Sequence, residues 1–183
     1  MELTLPPVRI SGTIEAIASK SQAHRLLLCA ALADRTTRLT CAELSEDIQA
    51  TARCLNAMSA SVCYAADAFT VRPLAYAEGD LTLDCGESGS TLRFLLPVVA
   101  ALGLCAEFKL HGRLAERPLS PLWEELEAHC CTLSRPAPDT VRCEGRLHAG
   151  VFRLPGDVSS QFISGLLFAL PLLPSDSQIV LTS

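Results

Sequence analysis

Lys20, Ser21 and Arg25 fall within one short stretch, SKSQAHR, where a lysine, a hydroxyl and an arginine gather at a helix start. Arg25 lies four residues beyond Ser21, about one helical turn, so the two side chains share a face. A helix start offers free backbone N–H groups and the positive end of the dipole. With Lys20 and Arg25 beside them, these groups suit a phosphate or carboxylate, which arginine can hold through two oxygens. The alternative is a pair of solvated helix charges. His24, between them, reads as a surface or packing residue.

Ser90 and Ser159 follow Ser21 at equal intervals of 69 residues, and each opens an apolar run, ESGSTLRFLLPVVAAL and VSSQFISGLLFALPLL. At the second start Gly86 and Gly89 bracket a tight turn that lets a ligand approach the backbone, with Arg93 in the first turn. GESGST lacks the lysine of a P-loop, and Glu87 must point away from an anion or pair with an arginine. The third start carries Ser159, Ser160 and the Gln161 amide with no cation. That set suits a hydroxylated, phosphorylated molecule, or it is an ordinary serine cap. Between these two, Arg113 and Arg117 precede a helix, where a cation needs an anionic partner: Glu116, Glu124 or a bound substrate.

The elements that must position these residues also repeat. β-prone runs precede the three starts, VRISG from Val8, LTLDCG from Leu81 and VFRLPG from Val151, each ending in glycine. Further strands follow the helices, TTRLT from Thr36, AEFKLHG from Ala106 and QIVLTS from Gln178. A second helix comes next. In the first unit it is capped by Ser45, with Glu46 and Asp47 favouring the dipole; in the second Ser120 caps, Pro121 is the first helical residue, and Leu122, Trp123 and Leu126 face inward. Hairpins close both units, one turning at Ala66-Asp67 and the other using Pro136, Pro138 and Asp139. The unit is strand, helix, strand, helix, strand, strand, over about 8–75 and 79–147, with a third at 150–183 that lacks its second half. The third copy is either truncated or a shortened terminal unit. Around a pseudo-threefold axis the three helix starts can point to one face.

Composition narrows the partners. The 183 residues, 49% of them apolar, suit one folded body, and a net charge of −5 gives no basic field for nucleic acid. No apolar run reaches the roughly 18 residues of a membrane span and MELTLPPVRI is not a signal peptide, so the cytoplasm is the default. The nine cysteines form no C-x-x-C pair and share no zinc spacing with the histidines, and they read as reduced core thiols.

The motifs SKSQAHR, CGESGSTLRFL from Cys85, RLAERP from Arg113 and GDVSSQF from Gly156, in that order through the chain, resemble the 5-enolpyruvylshikimate-3-phosphate synthase family (3-phosphoshikimate 1-carboxyvinyltransferases). The resemblance implies an α/β fold, an inverted α/β barrel of six βαβαββ units in two domains. This chain would be the N-terminal part, its third unit incomplete, its first residues belonging to the other domain and the C-terminal domain missing. The implied reaction moves the enolpyruvyl group of phosphoenolpyruvate to the 5-hydroxyl of shikimate 3-phosphate, with no metal or organic cofactor. By motif match, Lys20, Ser21, Arg25, Ser159, Ser160 and Gln161 would contact shikimate 3-phosphate. Lys20, Gly89, Arg117 and Gln161 would contact phosphoenolpyruvate, and Lys20 would take part in catalysis. Many members carry Asn-Ala-Gly-Thr-Ala in the glycine loop where this chain has Glu87 to Thr91, and Phe94 stands in place of a proline. The missing domain would bring the proposed base and further cations, so this chain alone is expected to be inactive. The alternatives are a relative of UDP-N-acetylglucosamine enolpyruvyl transferase and a non-catalytic anion-binding module.

Overall fold

Serine side chains start four of the helices. In the computed structural model, which describes residues 7, 9, 11–14, 17–75 and 79–182, α1 (Lys20–Ala31) is capped by Ser19 and α2 (Glu46–Ala57) by Ser45. Ser88 caps α3 (Gly89–Leu102) and Ser159 caps α5 (Ser160–Ala169). Each cap hydroxyl accepts an N–H that the first turn leaves free. Ser21 and Ser90 are therefore the second residues of their helices, whereas Ser159 lies outside its own. The helix starts are 69 and 71 residues apart, and the structural counterpart of Ser21 and Ser90 is Gln161 rather than Ser159. Part of the offset is a five-residue loop before α5 where four residues precede α3.

The strands pair in three sheets of one plan. β4 (Asp80–Asp84) and β5 (Cys105–Lys109) run parallel, and β5 then meets β7 (Thr140–Gly145) and β6 (Cys131–Ala137) in the order β4-β5-β7-β6, antiparallel at both later steps. The first unit shows the order β1-β3-β2, from β1 (Thr37–Thr40), β2 (Ser61–Ala65) and β3 (Ala68–Arg72). The third shows the parallel pair β8 (Val151–Leu154) and β9 (Gln178–Leu181). Val8 and Ile10 of the expected first strand lie outside the described residues; Arg9, Ser11 and Gly12 are not in a strand.

The first hairpin turns at Ala66-Asp67, both at positive φ, the primed turn that suits strand twist. The second turns at Pro138-Asp139. Pro136 lies instead within β6, at an irregularity between Ser134 and Ala137, where a proline leaves no ladder bond missing. α4 (Leu122–Ala128) also differs from expectation. Pro121 is its cap residue and Ser120 makes no capping bond, because the helix begins one residue later. Leu122 and Leu126 are buried and Trp123 is half-buried.

α3 is the centre of the core. Its only residues short of full burial are Ser90, Arg93 and Leu102, and it packs most extensively against α5. Gly165 makes that crossing close: a Cβ there would collide with the Arg93 carbonyl oxygen and come within 2.9 Å of Pro97 Cγ. Pro97 has no N–H to give that carbonyl, four residues before it, so the α5 backbone lies against an acceptor that the helix leaves free. All nine cysteines are free thiols. Cys41, Cys54, Cys85, Cys131 and Cys143 are buried as expected, and burial pushes the Cys143 thiol up to about 12. Cys29, Cys63 and Cys130 are exposed, so the core-thiol reading fails for these three. Among the described residues, no helix is long and apolar enough to cross a membrane.

Candidate active site

The α1 start places its residues in two directions. Arg25 Nη1 donates to the Ser21 carbonyl at 2.9 Å and to Ser21 Oγ at 2.5 Å, while Nη2 reaches Ser164 Oγ on α5 at 3.1 Å. The guanidinium carbon also stands 5.0 Å from the centroid of the Phe94 ring, so Arg25 ties α1 to α3 and α5. Lys20 turns away from this pair. Its ammonium meets the Asp47 carboxylate in the first turn of α2 at 2.6 Å and remains half-exposed.

At the α3 start, Gly86 opens the turn at φ +55 and Gly89 leaves room for cations. The site a Cβ on Gly89 would occupy lies 3.2 Å from Arg117 Nη1 and 3.7 Å from Arg93 Nη1. Gln161 on α5 completes the group, donating from Nε2 to Ser90 Oγ at 2.8 Å and accepting at Oε1 from Arg93 Nη1 at 2.7 Å. Arg93 Nη2 donates to the Pro118 carbonyl at 3.1 Å, holding the segment that carries Arg117. Burial and the neighbouring Arg117 charge lower the affinity of Arg93 for its proton. Among the described residues, neither Glu116 nor Glu124 forms an ion pair with Arg113 or Arg117, in contrast to one sequence expectation. Glu87 lies against Gly112, with its carboxyl carbon 2.5 Å from the place a Cβ would take there. Two arginines thus face the α3 start.

Gly89, Arg117 and Gln161 come together, and Ser21 and Arg25 do so beside Ser164. Ser159 is spent on its cap bond to the Gln161 amide at 3.3 Å, and Ser160 is exposed at the first helical position. The sequence reading missed Ser164 and the part played by Asp47. Ser164 is one turn beyond Gln161 on the same face, a spacing that could have marked it.

Behind this surface is a buried polar chain. His24 Nδ1 is 2.7 Å from Thr51 Oγ1, Thr51 Oγ1 is 2.7 Å from Thr91 Oγ1, and the Thr91 hydroxyl donates to Ser88 Oγ at 2.7 Å. Burial pulls the His24 pKa down from 6.5 to about 4; Asp47 opposes the shift, and Lys20 and Arg25 add to it. The unfolded chain therefore gains a proton near pH 6.5 that folded His24 refuses until about pH 4. Stability from this group is intact above pH 6.5 and falls as pH drops towards 4, by at most about 3 kcal/mol. Urea unfolding across that window should show the loss, and a His24→Asn protein should lack this component.

A family model described as EPSP synthase (3-phosphoshikimate 1-carboxyvinyltransferase) matches residues 5–183. This chain belongs to the EPSP synthase family. It is 37% identical over 190 residues to the 3-phosphoshikimate 1-carboxyvinyltransferase of Clostridium beijerinckii, an alignment covering 99% of this chain and 44% of that protein. The Clostridioides difficile protein of the same name is 35% identical over 193 residues, again covering 99% and 44%. The chain thus spans less than half the length of these EPSP synthase relatives. Among solved structures, an EPSP synthase from Acinetobacter baumannii superposes with a TM-score of 0.79 at 22% identity, covering 94% of this chain and 40% of that one. The enolpyruvyl transferase NikO from Streptomyces tendae gives 0.57 at 19% identity, covering 86% and 37%. These two likenesses support the mixed α/β fold that the EPSP synthase motifs implied.

Proposed function

We propose that this chain provides the N-terminal part of a cleft in which the enolpyruvyl group of phosphoenolpyruvate passes to the 5-hydroxyl of shikimate 3-phosphate. The hydroxyl gives up its proton as its oxygen bonds to C2 of phosphoenolpyruvate and C3 takes up a proton, giving a tetrahedral intermediate with a methyl group; loss of phosphate from C2 together with a proton from C3 restores the double bond. Arg25, Ser21, Lys20, Ser159, Ser160 and Gln161 bind shikimate 3-phosphate in this reading. Gly89, Arg117, Gln161 and Lys20 bind phosphoenolpyruvate. Lys20 sits where two anions must lie side by side, and its contact with Asp47 is exchanged for them. The C-terminal domain of the relatives completes the cleft and brings the remaining catalytic groups. The reading calls for no metal, organic cofactor, nucleic acid or membrane, and the reaction belongs in the cytoplasm.

The observation that carries the proposal is the Arg93–Gln161–Ser90 bridge beside Arg117, which joins two helix starts around two cations. Calorimetric titration of the chain with shikimate 3-phosphate should give saturable binding, and UDP-N-acetylglucosamine should give none. Absence of heat at millimolar shikimate 3-phosphate, with the fold intact by circular dichroism, would overturn the reading. Preference for the sugar nucleotide would move the chain to the other enolpyruvyl transferase branch.

A further inference from the structure

We propose that His24 is a positioning residue: as the neutral Nδ1–H tautomer it starts a one-way hydrogen-bond chain through Thr51 and Thr91 to Ser88, which sets the glycine turn of α3 against the cationic start of α1. The direction follows from counting protons. Ser88 Oγ accepts the Thr91 amide at 3.2 Å and the Thr91 hydroxyl at 2.7 Å. Three acceptors lie within reach of that hydroxyl, Ser88 Oγ and Thr51 Oγ1 at 2.7 Å each and the Asp47 carbonyl at 3.5 Å, and the contact with Ser88 has Thr91 as its donor. With its single proton given to Ser88, Thr91 accepts from Thr51. The Thr51 proton is then committed, and the 2.7 Å bond to His24 requires Nδ1–H as its donor. Nε2 is left as a bare, buried lone pair with no hydrogen-bond partner. The imidazole stands edge to face with Phe94, ring centroids 6.5 Å apart.

The four side chains belong to three helices and one turn, and all are buried. His24 adjoins Arg25 in sequence but lies on the interior side of α1. Thr51 is one turn along α2 from Asp47, the partner of Lys20. Ser88 and Thr91 flank Gly89 and Ser90. The chain is therefore an interior strut whose two ends carry the anion-binding residues of α1 and the close-approach glycine of α3. A neutral imidazole is required, since a second ring proton would be a buried donor with no acceptor. Burial favours that neutral form, as do Lys20 and Arg25; Asp47 on α2 acts against it.

The tests use the folded 183-residue chain. Long-range nitrogen–proton spectra at neutral pH should show His24 protonated at Nδ1, and an Nε2–H tautomer would overturn the chain's direction. In His24→Leu, amide exchange at Thr91 should quicken about tenfold, the equivalent of one hydrogen bond. His24→Asn, whose amide N–H can take the place of Nδ1–H, should restore it. Exchange unchanged in the leucine protein, or equally fast in the asparagine protein, would refute the positioning role. Should the leucine protein not fold, Thr51→Val cuts the same chain and must give the same acceleration. The ligand readout rests on the enolpyruvyl transferase reading: shikimate 3-phosphate affinity should fall with leucine and recover with asparagine. If the unaltered chain binds no shikimate 3-phosphate, that reading fails, whereas tautomer and exchange still decide the role of His24.

Discussion

Arg25→Ala is expected to weaken binding of shikimate 3-phosphate to the chain about a hundredfold, the loss of one or two charge-assisted hydrogen bonds from a fixed donor. The guanidinium is already held by the Ser21 carbonyl and hydroxyl, by Ser164 on α5 and by the Phe94 ring. Little side-chain freedom is left to lose on binding, so most of its interaction with a phosphate is retained as affinity. Arg25→Lys should recover little, because one ammonium cannot reach both Ser21 and Ser164 while facing a ligand. Lys20→Ala should cost less, about tenfold, since its ammonium is half-exposed and must first leave Asp47. Calorimetry on the three variants checks the order. Equal affinity in Arg25→Ala and the unaltered chain would remove Arg25 from the site.

Gly165→Val should lower stability by about 3 kcal/mol through overpacking where α3 crosses α5. Elsewhere a glycine inside a helix is a weakness, and replacing it with alanine gains about 1 kcal/mol. Here even one added carbon would collide with the Arg93 carbonyl oxygen, a backbone atom that cannot swing aside. The steric term outweighs the propensity term, so Gly165→Ala should also destabilise, by roughly 1 kcal/mol. Urea unfolding should show lower midpoints with unchanged slopes. A raised midpoint in the alanine protein would mean that the two helices part without cost. Because Gln161 lies one turn from Gly165 on α5, the valine protein should also lose the bridge to Ser90 and Arg93.

Local features were legible in the sequence. The Ala66-Asp67 turn, the Ser45 cap and the strands on either side of the second and third helices depend on neighbouring residues and on turn chemistry, whereas the parallel pairing of those strands is seen only in the fold. Errors arose where a choice depended on one residue more or less. Equal serine spacing hid the true caps at Ser19 and Ser88, and Pro121 displaced the expected Ser120 cap. The pairings within the site were harder still. Lys20 and Asp47 are 27 residues apart, Arg25 and Ser164 are 139 apart, and no periodicity connects them. Only the packing of α1 on α2 and of α3 on α5 brings them together.

Ser21, Ser90 and Gln161 occupy the second position of three equivalent helices, yet the helices around them carry different groups: Lys20 and Arg25 on α1, Arg93 on α3, and no cation in the α5 segment Ser160–Ala169. Three identical helix starts around one ligand would accept it in several poses of equal energy. Unequal starts remove that degeneracy, so a molecule with a phosphate at one end and hydroxyls at the other has one orientation in which charge meets charge. The differences among the three helix starts supply a sense of direction.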